Sequence, residues 1–507
     1  MSKHKLITIW ASIELTSAYF ERVCLLHRDQ DIYRQVLAEL EENLPYDRIS
    51  VKEIDRFAYG RDFYPLPPRS AFKPDIIVLP RSTEEISTVV KIANKYSVPI
   101  IPFGGGTNLS AGLWPVTGGI LIDTRRMNNI EVYPEDMVVV AEGGATIENI
   151  RLECEKYGLL FADDPESKYV CTLGARISLD GQSTWGAKYG SPNKLVLGLE
   201  VVLPTGEILR TGSRVWKSSS GHKLLQLFVS AEGTLGIITK AIMKVFPLPK
   251  TYKSLLFGFK NLKVIIKSVH EFMREGIWPE CVMVNDPTRS YFYSQKAGLS
   301  PDLWFLGIML AGSERMVEFQ TEILRKLVQS ANGKELPPEI SKSWWITKTA
   351  NYPPRENPHT RMWRSHKIGV PDVGVPLSKI EEMWNRYHQL ADKYGLEYFG
   401  LAIYQDGTVF APQFSWIVNI NDLDEGEYER WRKFEQEMFK ASIELRGTIT
   451  AGLGVGARGM EHFKKEHTTV SNDYKLMLQI KKLLDPNNIM QRGKVFPPDD
   501  LAKEVVE

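Results

Sequence analysis

Between residues 74 and 106 the hydrophobic pattern changes period and changes back. An apolar run, "DIIVLP", is followed by helical spacing from 86 to 93, then by a β-branched run at 98–101 and three consecutive glycines. This predicts strand, helix, strand and glycine loop, with Ser82 as the helix N-cap and Glu85 closing a capping box. Short β-rich runs follow in "GGILIDT", "MVVVAEGG", "LVLGLEVVLPTGEIL" and "LGIITKAIMKVFPLP", while "TIENIRLECEKYG" predicts a helix closed by Gly158. Residues 28–50 predict a helix with charged faces, and "YGRDFYPLPPRSAFKP" (59–74) an irregular, proline-rich stretch. Near residue 249, at "PLPKTYKS", the character changes. Strands such as "KSLLFGF", "WFLGIMLAG" and "SWIVNIN" then alternate with long amphipathic helices, and "NDYKLMLQIKKLL" gives a last helix ended by Asp-Pro. The whole is an α+β pattern without internal repeats or low-complexity tracts.

A chain of 507 residues exceeds what one simple core accommodates, and two or three packed domains are expected. A formal net charge of +1 gives no electrostatic case for a nucleic-acid partner. Cys24, Cys154, Cys171 and Cys281 are scattered without a CxxC pair, which argues against a cysteine-built metal site or a disulfide scaffold and fits a reducing cytosol. No window approaches 18 uncharged apolar residues, the length that a membrane span requires. The opening "MSKHKLITIWASIELTSAYFERVCLL" imitates a signal peptide, but Glu14 interrupts its apolar run, so it is expected to be a helical or poorly ordered extension. A cytoplasmic protein is expected, with peripheral attachment to a membrane left open.

The candidate chemistry begins at "IPFGGGTNLSAG". Glycine inside a regular element costs roughly 0.5–1 kcal/mol relative to alanine, so three together point to a tight turn or a close approach of bare backbone. Consecutive N–H groups in a loop after a strand suit an anion such as a pyrophosphate. An ordinary glycine-rich turn stands equally well on this loop alone.

Several passages in order resemble the vanillyl-alcohol oxidase/p-cresol methylhydroxylase family of flavoproteins, nearest to its D-lactate and glycolate dehydrogenase branch. They are "PFGGGTNLSAG", "FADDPES", "CTLGARIS", "GAKYGSPNKLVLGLEVVLPTGEILRTG", "LFVSAEGTLGIITKAIMKVFPLP" and "IKKLLDPNNIMQRGKVF". The resemblance implies an N-terminal helical extension (1–55), an FAD-binding domain of two α+β subdomains (56–248), an α+β cap over the flavin (249–445) and a C-terminal segment returning to the FAD domain (446–507). It implies that Gly104, Gly105, Gly106, Thr107 and Asn108 surround the FAD pyrophosphate with Pro102 and Leu109 close by. It also implies that Pro165, Thr172, Gly174, Ser178, Glu232, Gly233 and Ile238 line the flavin. Relatives that tether FAD through this loop carry a histidine beside the glycines. Thr107 and Asn108 stand there, so the FAD is expected to be dissociable. Asp163 and Asp164 are expected to be solvated loop charges.

Three features depart from the family pattern. Where hydroxy-acid members carry a histidine base in "G-E-H-G-I-G", this chain reads "TITAGLGVGARG", with Gly452 and Leu453 in place of glutamate and histidine. Where a metal-binding "H-x-G-D-G-N-x-H" is common, "IYQDGTVF" offers Ile403 and Phe410, so no metal is expected. "MWRSHK" puts His366 where relatives carry a carboxylate-binding arginine, with Arg364 two residues earlier. Tyr404, Arg458, His366 and Arg364 are the catalytic candidates, Tyr404 with Arg458 as a pair able to hold a phenolate.

The resulting expectation is an FAD-dependent enzyme oxidising a CH–OH group by hydride transfer, a D-2-hydroxy acid such as D-lactate or glycolate being the first substrate. Its acceptor would be oxygen, a quinone, a cytochrome or a partner flavoprotein, and a homo-oligomer is compatible with everything above. The rival readings are a phenol or aryl-alcohol oxidase, where phenol deprotonation replaces the histidine, and a non-catalytic FAD-carrying subunit.

Overall fold

A computed structural model describes residues 30–65, 72–347, 367–396, 398–405, 411–420 and 424–502. The first described helix, α1 (Gln30–Asn43), stops short of the predicted residue 50, because Pro45 and a 3-10 turn at Tyr46–Arg48 lead into β1 (Ile49–Ser50). Four strands then make the first sheet, β1, β2 (Ile76–Val78), β3 (Ile100–Phe103) and β4 (Ile120–Asp123), in the order β1-β2-β4-β3. β2, β3 and β4 are parallel, and α2 (Thr83–Lys95) is the crossover between β2 and β3. Its start matches the sequence: Ser82 accepts from the Glu85 N–H at 3.2 Å. Glu85 itself reaches one residue further back than a capping box, to the Arg81 N–H at 2.7 Å.

The second sheet is antiparallel. It uses β5 (Ile130–Tyr133), β6 (Val138–Glu142), β8 (Val196–Val202), β9 (Ile208–Gly212) and β10 (Ile237–Lys244) in the order β5-β6-β10-β8-β9, while β7 (Leu159–Leu160) pairs with β11 (Phe246–Pro247). The two longest described helices of this half are α3 (Ile147–Glu155), capped by Thr146, and α4 (Leu173–Leu179), which packs on β10. Asp163 and Asp164 depart from the solvated loop charges expected of them. Both are buried, Asp163 against the Arg176 guanidinium of α4 at 2.7 and 2.9 Å and Asp164 against Lys168 at 2.8 Å. A buried carboxylate persists only with such partners.

The cap is one seven-stranded sheet of β12 (Thr251–Phe259), β13 (Cys281–Asn285), β14 (Trp304–Gly312), β15 (Lys334–Glu335), β16 (Lys367–Gly369), β17 (Tyr398–Gln405) and β18 (Ala411–Ile420), in the order β15-β12-β14-β13-β17-β18-β16. Side chains alternate across a strand, and the two faces of β12–β14 show it. Leu255, Phe257, Val282, Val284, Leu306 and Ile308 pack with α5 (Leu262–Arg274), α6 (Glu314–Ser330), α7 (Ile380–Tyr394) and α8 (Glu425–Glu444) in the main core. Leu256, Cys281, Met283, Phe305 and Met309 face Trp344 and Ile340 in a smaller one. After α9 (Met460–Thr469) and α10 (Tyr474–Leu484) the chain returns to the first sheet, where the Ile100 N–H donates to Ile489 O at 2.7 Å beside β3. That return places the C-terminal segment beside the glycine loop.

Candidate active site

The glycine loop leaves β3 and presses against the segment that starts α4. A Cβ on Gly105 would stand 2.2 Å from Val170 O, one on Gly104 would stand 2.3 Å from Thr172 Oγ1, and Gly106 has φ +72°. Only glycine fits these positions. Asn108 fixes the far side of the loop, its Oδ1 accepting from the Ser110 N–H (2.8 Å), the Ser110 hydroxyl (2.9 Å) and the Gly112 N–H (2.9 Å). Among the described residues, nothing accepts from the N–H groups of Gly104, Gly105 and Gly106. The buried Thr172 hydroxyl beside them has no partner either. Bare N–H groups and an orphaned hydroxyl around one pocket are what a bound pyrophosphate requires, so these residues fit FAD.

The pocket is lined by every flavin-site residue expected from the sequence except Leu109, which is buried beside it, and Pro165. Sequence reasoning missed Leu179 and Gln491. Gln491 comes from the returning C-terminus, has φ +52°, and donates through Nε2 to Glu232 O (3.1 Å) and Gly112 O (3.3 Å). Its Oε1 accepts from Lys494 Nζ at 2.5 Å. Lys494 is buried, and burial lowers its pKa to about 7 against the pull of Asp62 and Glu232. Asp62, equally buried, is raised to about 7 although it accepts from the Tyr64 N–H, the Leu113 N–H and the Trp114 indole.

Glu232 sits at φ +51° in the turn before β10 and its carboxylate accepts from the Val455 N–H (2.6 Å) and the Gly456 N–H (2.9 Å). Burial pushes this carboxyl up, opposed by those two N–H groups. The loop at 448–459, where the histidine motif was expected, is therefore tied down on the flavin side by Glu232. On the other side a second carboxylate holds it: Asp372 accepts from the N–H groups of Ala451 (3.1 Å), Gly452 (2.9 Å) and Leu453 (2.9 Å) and from the Thr450 hydroxyl (3.0 Å).

Arg458 departs from the phenolate-binding role expected of it. Its guanidinium is fully buried, bonded to Asp372 at 3.0 Å, Glu435 at 3.2 Å, Val370 O at 2.9 Å and Gly454 O at 3.2 Å. Glu435 carries the network on to Tyr64 and Arg432, each at 2.5 Å. An arginine between two desolvated carboxylates is a structural cation. Tyr404 lies on β17 opposite Pro412 of β18, whereas Arg364 and His366 fall outside the described residues, as does Phe410.

Two family models match the chain: an FAD binding domain over residues 74–212 and the C-terminal domain of FAD linked oxidases over residues 248–495. The glycolate oxidase subunit GlcD of Bacillus subtilis (strain 168) is 30% identical over 450 residues, covering 88% of this chain and 93% of that protein. The mitochondrial D-lactate dehydrogenase (cytochrome) of Arabidopsis thaliana is 29% identical over 484 residues, covering 92% and 81%. In three dimensions the 4-ethylphenol oxidase from Gulosibacter chungangensis, solved with isoeugenol, superposes with a TM-score of 0.77 at 19% identity, covering 92% of this chain and 98% of that one. This last likeness speaks for the fold, which is that of p-cresol methylhydroxylase-type FAD proteins. No described helix is long and apolar enough to cross a membrane.

Proposed function

Because this chain belongs to the FAD-linked oxidases, we propose that it oxidises the CH–OH group of a D-2-hydroxy acid, D-lactate or glycolate first, with FAD held non-covalently. The observation that carries the flavin part of this reading is the set of acceptor-less N–H groups at Gly104, Gly105 and Gly106 facing the orphaned Thr172 hydroxyl. The names of the relatives carry the substrate class.

When bound, FAD supplies the hydride acceptor. The protein's residues do the rest. The loop at 104–108 holds the diphosphate by backbone contacts, and Gln491 and Glu232 keep that loop and the loop at 448–459 in fixed relation. A hydroxyl proton must leave as hydride departs. Leu453 has no group to take it. The proton and the substrate carboxylate are therefore assigned to the cap, with His366 as base, Arg364 as countercharge and Tyr404 as a hydrogen-bonding group. Leu453 in the base position also favours a second reading, an aryl alcohol or phenol that ionises without that histidine.

Anaerobic mixing of the yellow protein with D-lactate, glycolate and 4-ethylphenol tests this. Bleaching of the visible flavin band by either hydroxy acid supports the first reading; bleaching by the phenol alone replaces it with the second.

A further inference from the structure

A cavity of about 460 Å³ lies behind the loop at 448–459, between the segment at 226–235 and helices α9 and α10. It shares Leu179 and Glu232 with the pocket at the glycine loop. Its walls are largely apolar, from Leu227, Leu235, Ile449, Phe463, Met477 and Phe496. Among the described lining residues there is no lysine or arginine, but Asp180, Glu232 and Glu466 contribute carboxylates. Such a chamber repels the carboxylate of a hydroxy acid and admits an uncharged guest. Most of its polar groups are already spoken for: Asp180 accepts from the Asn193 N–H (2.9 Å), Glu466 from the Ile449 N–H (2.8 Å), Glu232 from Val455 and Gly456. His467 keeps one ring nitrogen over. Its Nδ1 lies 2.8 Å from Asp473 Oδ1 and 3.2 Å from Ser471 Oγ, while Nε2 stands 3.9 Å from Glu466 Oε1, beyond hydrogen-bond distance.

We propose that this cavity is the acceptor site, and that the acceptor is a small uncharged quinone. The inference rests on the reading of the chain as a flavin-dependent dehydrogenase, whose alcohol enters beneath the cap; no cap strand contributes to the described lining of this cavity, so the acceptor comes from the other side. Reducing a quinone to a hydroquinone takes two electrons and two protons. Both electrons and one proton come from the reduced flavin. The second proton comes from solvent by way of His467, whose partly exposed side chain is held at Nδ1 by Asp473 and leaves Nε2 for a quinone oxygen.

The test uses full-length, FAD-loaded protein reduced anaerobically with dithionite, so that no alcohol is involved. Reoxidation is followed with menadione (2-methyl-1,4-naphthoquinone) and with ferricyanide, and menadione binding to the oxidised protein is measured by calorimetry. Saturable reoxidation by menadione is expected, with Met477→Trp lowering the menadione-to-ferricyanide rate ratio and the menadione affinity each by at least about tenfold. His467→Gln is expected to slow the saturated menadione rate about fivefold or more while leaving the affinity within about twofold. Should Met477→Trp not fold, Val229→Phe, from another lining segment, fills the same chamber. Non-saturable reoxidation, a ratio untouched by the filled cavity, or displacement of menadione by 4-ethylphenol with bleaching of the flavin overturns the proposal. Failure of D-lactate to reduce the flavin would overturn the donor reading and leave this result standing.

Discussion

Two stretches of the chain, 104–106 and 451–456, present rows of backbone N–H groups that no helix or strand ladder uses. At Gly104, Gly105 and Gly106 no described acceptor in the protein meets them. At 451–456 the protein meets them itself, with Asp372 on Ala451, Gly452 and Leu453, and Glu232 on Val455 and Gly456. Rows of N–H groups attract anions wherever they occur. Whether such a row binds a ligand or fastens the fold depends on whether a carboxylate from elsewhere in the chain fills it. The first loop is kept open for a guest; the second is closed by residues of the cap and of the turn before β10.

Emptying the closed row is the harshest way to test that contrast. Asp372→Ala takes the acceptor of the Gly452 N–H, leaves Ala451 only the Asp372 backbone carbonyl (2.9 Å) and Leu453 only the Thr450 hydroxyl (3.3 Å), and removes one of the two carboxylates facing Arg458. Breaking a buried ion pair from one side costs about 3–5 kcal/mol, and that loss is expected in the denaturant midpoint of the variant. Formate, which matches the deleted carboxylate, is expected to restore part of it. A variant as stable as the parent would mean the row is not held by Asp372.

Displacing the open row should cost the guest above all. Gly105→Val sets a side chain against the Val170 carbonyl, which is backbone and cannot swing away, so the loop itself must shift and carry its N–H groups with it. FAD affinity is expected to fall by at least about 100-fold, about 2.7 kcal/mol, read by flavin fluorescence on a protein whose circular dichroism is unchanged. Retained yellow colour at full occupancy would remove the diphosphate from this loop.

The open row was legible in the sequence and the closed one was not, for a physical reason. A glycine requirement is local: three adjacent bare positions after a β-branched run announce a close approach wherever the partner lies. The partners of the second loop are far off in the chain, with Asp372 86 positions from Arg458 and Glu232 223 positions from Val455. That Leu453 offers no proton acceptor could be read from the sequence, but that the loop is held by two carboxylates could not. Gln491, 379 positions from Gly112, was invisible for the same reason. Asp163 and Asp164 misled because an acidic pair in a loop looks solvated. The arginine that neutralises Asp163 is 13 residues on, hidden within an apparently ordinary helical run.

The two rows meet at Glu232, whose carboxylate belongs to the closed loop and whose carbonyl, through Gln491, belongs to the open one. Glu232→Gln keeps one acceptor oxygen and loses the other, so one of the two N–H groups goes unmet. A loss of about 1–3 kcal/mol in stability is expected, with FAD affinity falling about tenfold or less. Unchanged FAD affinity with reduced stability would show that the loops are mechanically separate.

The mildest probe is pH, acting through Lys494 behind Gln491. With its native pKa lowered to about 7 from the ordinary 10.5, the native ammonium is lost while the unfolded chain still holds its proton. Between about pH 7 and 10 the unfolded state thus binds more protons, and stability should rise with pH, by at most about 1.4 kcal/mol per unit. Asp62 works in the opposite sense below this range. Raised to about 7 from 3.8, it keeps a proton in the native state that the unfolded chain has released, so its contribution falls as pH climbs from about 4 to 7. Removing Lys494 as Lys494→Met deletes the first effect and moves Asp62 further up by taking away its countercharge. Both changes act in the same direction, so the stability of the parent minus that of the variant should climb steadily from pH 7 to pH 9 in parallel urea titrations. A flat difference would show that the lysine behind Gln491 keeps its proton in the native state, and that the open row is backed by a permanent positive charge.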